Sequence, residues 1–191
     1  RIFQAAGFVF HSEVCIWKDP VTAMQRTKAI GLLHKQIRKD SALSRQGIPD
    51  YLVTVRKLGD NAEPCAGPFT EFAGENPPAK TGDEIKDSIN IWQRYASPVW
   101  MDINPSDTLQ YRSARANEDE RHICPLQLEV IRRGLQLWSN PCDVVLSPFA
   151  GIGSEGFVSL EMGRRFVGFE LKPSYFNCAA KNLNAAESEK Q

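Results

Sequence analysis

The last third of this chain restricts its fold most, because helix and strand patterns alternate there around a glycine-rich turn. "PLQLEVIRRGLQLWS" sets Leu128, Ile131, Leu135 and Trp138 on one helical stripe, and "DVVLS", Asp143 to Ser147, reads as a short buried strand. A helix runs from Ser154 to Met162, "RRFVGFE" reads as a second buried strand, and "PSYFNCAAKNLNAA" is a closing helix started by Pro173. The order helix, strand, helix, strand, helix calls for adjacent parallel strands joined by right-handed crossovers, with ligand space at the carboxyl ends of the strands. The expected class is α/β.

Directly behind the first of these strands stands "LSPFAGIGSEG", in which Gly151, Gly153 and Gly156 satisfy G-x-G-x-x-G. Glu170 follows 19 positions after Gly151, at the end of the second strand. A carboxylate there can accept hydrogen bonds from both hydroxyls of an adenosine ribose, since it offers two acceptor oxygens. NAD and S-adenosylmethionine (AdoMet) both carry that ribose, so Glu170 leaves both open. The turn separates them. A pyrophosphate site needs the strand to run almost straight into its first glycine, whereas Pro148, Phe149 and Ala150 intervene here after Ser147. The longer, apolar turn favours a ligand without phosphate. A nicotinamide-dependent oxidoreductase is the alternative enzyme, and a tight turn with no ligand is the bland one.

Upstream, net charge is zero but unevenly spread: residues 18–57 hold nine Lys or Arg against three Asp, and residues 59–90 hold seven acids against two lysines. A basic segment of this kind points to a polyanionic partner, with a solvated helix face as its rival. The sequence suggests strands over Phe8 to Trp17 and Tyr51 to Lys57, able to pair, with an amphipathic basic helix over about residues 21–46 between them. Leu58 to about Lys80 is rich in Pro, Gly and acids and reads as a loop or linker; "INIWQRYASPVW" follows as a short aromatic stretch. Of Trp92, Tyr95 and Trp100, at least two are expected in the core, although rings of this kind also stack on bases. The five cysteines are scattered without a CxxC pair and are expected to be ordinary buried thiols. His11 and His34 have no partner at metal spacing, and no metal site is expected. No apolar run approaches the length of a membrane helix and no leader pattern is evident, which leads one to expect a cytoplasmic protein.

At the glycine turn the residues meet a resemblance. "LSPFAGIGSEGFVSLEMGRRFVGFELKPSYFNCAAKNL" is similar to the AdoMet-binding region of the permuted DNA amino-methyltransferases of phages and bacterial modification systems. Ser147 to Gly153 resembles that family's D-P-F-x-G-S-G loop, "FVGFEL" with Tyr175 resembles its following strand and downstream tyrosine, and "VCIWKDP" and "PDYLVTVRK" look like its late strands. "RHICPLQLEVIRRGL" is similar to the segment that closes over the methionine end of the cofactor, which brings in Ile123 and Pro125 and draws attention to His122. Two departures are visible: Ser147 stands where the family usually has Asp, and Cys142 where a glycine often precedes the strand.

The resemblance implies a Rossmann-like AdoMet-dependent methyltransferase fold, a mixed sheet with flanking helices. Its implied cofactor set is Ile123, Pro125, Ser147, Pro148, Phe149, Ala150, Gly151, Gly153, Glu170 and Leu171, with Glu170 on the ribose hydroxyls and Leu171 beside the adenine. It implies methyl transfer to an exocyclic amine of adenine or cytosine in double-stranded DNA, in a bacterial or phage-infected cell. Lys28, Lys35, Arg38, Lys39 and Arg45 are then candidates for DNA phosphates. Three parts are expected: late strands with the basic insert (1–57), a loop-rich possible target-recognition region (58–110), and an AdoMet-binding βαβ region (111–191). The family's catalytic tetrapeptide, (Asp, Asn or Ser)-Pro-Pro-aromatic, has one near match, "NPPA" from Asn76 to Ala79, whose Ala cannot stack on a flipped base. No catalytic residue is therefore assigned, and the motif is expected upstream of Arg1, where the chain opens abruptly in a helical turn. This makes the chain the cofactor-binding half of an enzyme; a non-catalytic nucleic-acid-binding remnant is the other outcome. The sequence leaves the oligomeric state open, a dimer being one option.

Overall fold

The computed structural model describes residues 2–110, 114 and 124–188. One helical turn, α1 (Ile2–Ala5), leads through Gly7, in the left-handed region at φ +82°, into β1 (Phe8–Ile16). Asp19 caps α2 (Pro20–Thr27), its carboxylate accepting from the Thr22 N–H at 2.7 Å, with proline at the first helical position where no N–H is needed.

The single basic helix expected over residues 21–46 does not form. Lys28 ends α2 in the left-handed conformation (φ +57°); a 3-10 turn (Ile30–Leu32), the one-turn α3 (His34–Ile37) and a second 3-10 turn (Ser41–Leu43) follow. Two local causes are visible. The Asp40 side chain accepts from the Ala42 N–H at 2.9 Å and restarts the chain. Ile30 and Ile37 stay exposed, so no apolar stripe is buried to sustain a long helix. Lys28, Lys35, Arg38, Lys39 and Arg45 are all exposed, on an irregular segment and not on one helix face.

β2 (Asp50–Lys57) returns antiparallel to β1, from Phe8 opposite Lys57 to Ile16 opposite Asp50, with a bulge between Phe10 and Ser12. Residues 58–83 carry no helix or strand, as their composition suggests. The aromatic stretch then proves to be α4 (Glu84–Tyr95), whose first turn Asp83 caps by accepting from the Ile85 and Lys86 N–H groups. β3 (Val99–Trp100) lies parallel to the end of β1, giving the mixed sheet order β2-β1-β3.

The carboxyl-terminal part keeps the expected order: α5 (Leu128–Trp138), β4 (Val144–Ser147), α6 (Ser154–Glu161), β5 (Arg165–Gly168) and α7 (Pro173–Ser188). β4 and β5 pair in parallel from Val144 opposite Arg165 to Ser147 opposite Gly168. These strands are not buried throughout. Val144, Leu146 and Val167 are exposed, while Val145 packs against the cluster of Leu128, Ile131, Leu135 and Val158. Among the described residues the helical layer meets the sheet through one set of alternating side chains, which is what period two produces when one face is covered.

α5 joins the two halves. Leu128, Ile131 and Leu135 face α6 and β4, whereas Val130 enters the core of the first sheet with Val14, Ile16, Trp100 and Ile103. Trp138, expected on the buried stripe, is 39% exposed at the end of the helix. Arg133 is fully buried between the halves: its Nε donates to the Ala73 carbonyl at 2.6 Å, and Nη2 lies 2.8 Å from Asp102 Oδ2. The guanidinium carbon sits 5.2, 5.0 and 4.8 Å from the rings of Phe72, Tyr95 and Trp100. A Cβ at residue 74 would fall 2.2 Å from Nη2, so this contact requires Gly74. Tyr95 and Trp100 are thus core residues, as expected for two of the three aromatics, and the Trp92 ring is half exposed and stacks on Phe69.

Candidate cofactor site

The glycine turn is built from backbone bonds between β4, α6 and the exit of β5. Phe169 N–H donates to the Ser147 carbonyl at 2.9 Å, and Ala150 N–H donates to the Phe169 carbonyl at 2.8 Å. Gly151 (φ +56°) and Gly153 (φ +86°) both need the left-handed region, the second as N-cap of α6. Their surroundings differ. A Cβ on Gly153 would press on Leu183 and Ala179 of α7, whereas one on Gly151 would meet no heavy atom within 4 Å. Gly156 is a contact glycine: a Cβ there would lie 2.6 Å from the Phe166 ring. One glycine of the motif therefore faces open space and two serve packing.

Glu170 reaches back to this turn. Its Oε2 accepts from the Gly151 N–H at 2.9 Å, and its Oε1 accepts from the Lys172 N–H at 2.8 Å. Each oxygen keeps a second acceptor site, so the two backbone bonds orient the carboxylate without saturating it. Beside the turn lies a cavity of about 190 Å³, with Pro125, Phe149, Ala150 and Gly151 in its wall together with Cys124, Leu126, Ile152, Ser154, Glu155 and Tyr175. Burial pushes the Glu155 carboxyl above the usual carboxylate range, its own backbone N–H pulling the other way.

Of the residues expected around a cofactor, Pro125, Phe149, Ala150 and Gly151 come together at this cavity. Ser147 and Gly153 are buried, in the strand end and the helix cap. Pro148 and Leu171 are exposed, Leu171 completely. Ile123 and His122 lie outside the described residues. Glu155 and Tyr175 complete the wall; the sequence drew attention to Tyr175 but not to Glu155, because an acid in the first turn of a helix reads as an ordinary dipole partner. Among the described residues no group of three or more His, Cys, Asp or Glu is arranged to hold a metal ion. The cysteines depart from expectation: Cys178 is buried and Cys15 half-buried, but Cys65, Cys124 and Cys142 are exposed, because they lie in loops and turns. Asn76 to Ala79 sits in a loop, with Asn76 at φ +59°, and Pro77 to Ala79 line a separate cavity of about 640 Å³.

The donor set fits a nucleoside better than a dinucleotide. An oriented carboxylate at a strand end suits ribose hydroxyls, an open glycine and an 86% exposed Phe149 ring offer apolar contact, and two carboxylates, Glu155 and Glu170, border the turn. A diphosphate seated there would face both negative charges.

This arrangement, a glycine turn between parallel strands with an acid at the second strand's end, defines an α/β fold of the AdoMet-dependent methyltransferase type. The chain belongs to the DNA methylase family of N6/N4 type, whose model matches residues 12–181. It is 33% identical over 88 residues to the type II methyltransferase M.BglII of Bacillus subtilis, covering 45% of this chain and 24% of the relative. It is 34% identical over 110 residues to the DNA adenine methyltransferase YhdJ of Escherichia coli K12, covering 56% of this chain and 37% of the relative. Among solved structures, 96% of the chain superposes on 56% of TTHA0409 of Thermus thermophilus, a putative DNA modification methylase complexed with S-adenosyl-L-methionine, with a TM-score of 0.56 at 20% identity. The M1.HpyAVI complex with the same compound matches 95% of this chain and 66% of its own, with a TM-score of 0.52 at 20% identity. The matched part of the chain thus spans 24% and 37% of the length of these two curated relatives.

Proposed function

We propose that this chain is the cofactor-binding part of an AdoMet-dependent DNA methyltransferase that modifies an exocyclic amine of adenine or cytosine in double-stranded DNA. The observation that carries the proposal is Glu170, held by the Gly151 and Lys172 N–H groups at the mouth of an open glycine turn. When bound, AdoMet supplies a methyl group made electrophilic by its sulfonium. The chain's residues then orient and shield: Glu170 accepts from the ribose hydroxyls, Phe149, Ala150, Gly151 and Gly153 wrap the methionine and ribose, and Pro125 with Ile123 covers the methionine end. Leu171 flanks the adenine, and Ser147, Pro148 and Gly153 fix the turn's path. Holding the donor in one pose in a dry pocket is the main contribution protein can make to a direct displacement.

Residues 18–57 carry the positive surplus, and Lys28, Lys35, Arg38, Lys39 and Arg45 are proposed to neutralise DNA phosphates. Residues 58–110 are proposed as a target-recognition region, tied to the cofactor part through Arg133. Among the described residues no helix is long and apolar enough to cross a membrane.

Calorimetric titration with AdoMet tests the assignment. Glu170→Ala loses both ribose acceptors and the tether of the Gly151 N–H, so its affinity should fall by a factor on the order of ten to a hundred, in line with charged hydrogen bonds. Equal affinity in Glu170→Ala and the parent would refute the ribose role.

A further inference from the structure

Glu155 is the second residue of α6 and part of the cavity wall, beside Phe149, Gly151 and Tyr175. An acid in a first helical turn ordinarily sits in solvent, where the dipole favours its charge. Here burial outweighs that help and pushes the carboxyl upward. Glu161, on the same helix, pairs with Arg132 at 3.0 Å, and Glu170 is bound by two backbone N–H groups. No ion pair among the described residues includes Glu155. A partly buried carboxylate without a cation is unfavourable on its own, and becomes favourable when a bound group brings a positive charge to it. Ser147, at the end of β4, is neutral and engaged through its carbonyl, so it offers no charge to such a group.

We propose that Glu155 is the anionic partner of the positively charged methionine end of the cofactor, and that it makes the cavity selective for an aminoacyl nucleoside. The inference rests on the AdoMet reading above and names the residue that sets ligand charge at that site. AdoMet brings an ammonium, a sulfonium and an α-carboxylate to this end of the molecule, a net positive charge whose ammonium is the group Glu155 pairs with, whereas a dinucleotide brings a diphosphate, which a carboxylate in the wall repels. Glu155 is a positioning residue in this account: it fixes the methionine arm and takes no part in bond making.

Glu155→Gln keeps the shape and removes the charge. Titrations of the parent and variant with AdoMet and with 5′-methylthioadenosine, which lacks the amino-acid arm, separate a charge contact from a general disturbance. AdoMet affinity should drop on the order of ten- to a hundredfold, while methylthioadenosine affinity stays within about twofold and Glu155→Asp recovers most of the AdoMet affinity, as expected for a charged contact. Unchanged AdoMet affinity in Glu155→Gln would overturn the proposal, and so would equal losses for both ligands or no recovery in Glu155→Asp. Failure of the parent itself to bind AdoMet would instead overturn the underlying functional reading, and this inference with it.

Discussion

Gly153→Ala and Gly151→Ala separate the two jobs of the glycine turn. Gly153 stands at φ +86°, and a Cβ there lies 2.8 Å from Leu183 Cδ1, 3.1 Å from Ala179 Cβ and 3.2 Å from Ala179 Cα. The leucine methyl can swing aside, but the α7 backbone yields only if the helix moves. A left-handed alanine costs about 1–2 kcal/mol, and overpacking against a fixed backbone adds about 1–3 kcal/mol. For a chain of this length each kcal/mol shifts Tm by about 2–4 °C, so Gly153→Ala should melt roughly 5–15 °C below the parent. Gly151 meets nothing within 4 Å, so Gly151→Ala carries only the backbone cost, a loss of about 2–8 °C. Its methyl nevertheless enters the space beside the cavity, and AdoMet binding should weaken. Differential scanning calorimetry gives the melting temperatures, and isothermal titration below both transitions gives the affinities. A Gly153→Ala protein that melts with the parent, or a Gly151→Ala protein that binds AdoMet as tightly, would refute this division.

Three further outcomes follow from the same contacts. Arg133→Met leaves Asp102 unpaired and the Ala73 carbonyl without its donor, and should cost about 3–5 kcal/mol in urea unfolding; a loss below about 1 kcal/mol would mean that the buried cation does not hold the two halves together. Cys142 occupies the left-handed region at φ +67°, so Cys142→Gly should gain roughly 1 kcal/mol in the same assay, and a loss would show that the thiol makes a contact worth more than the strain. Burial raises the Glu155 and Glu129 carboxyls, so between the ordinary carboxylate value and the raised one the folded chain holds more protons than the unfolded chain. Stability from this source is full below the ordinary value and is lost as pH rises through the raised one; Glu155→Gln should flatten that fall in the urea midpoint, and an unchanged pH profile would contradict it.

The glycine turn and its flanking elements were legible because each rests on local chemistry: a proline at the start of α7, glycines where φ is positive, and short β-branched strands. α5 was legible on one side only. Leu128, Ile131 and Leu135 announce a stripe, but its second buried face runs through Arg133, and a charged residue conveys burial only when its cage of Phe72, Tyr95, Trp100 and Asp102 is known. Those partners lie far from Arg133 along the chain, beyond any periodicity. α4 escaped notice because its cap, Asp83, follows an acidic loop and its aromatics, expected in the core, signal burial without fixing a helical period. The basic segment shows the opposite failure, in which an amphipathic pattern suggested one helix although Ile30 and Ile37 find no surface to bury them. Glu155 was invisible as a site residue since its position in the first turn of α6 had a sufficient structural explanation.

The central claim is that the turn between β4 and β5 receives a sulfonium nucleoside and not a dinucleotide. Titrating the chain with AdoMet by calorimetry, with NADH fluorescence followed in a parallel cell, tests it most directly. Saturable AdoMet binding, with an NADH signal that stays at its free value, is the predicted result. NADH bound at the turn and left undisplaced by excess AdoMet would contradict the account.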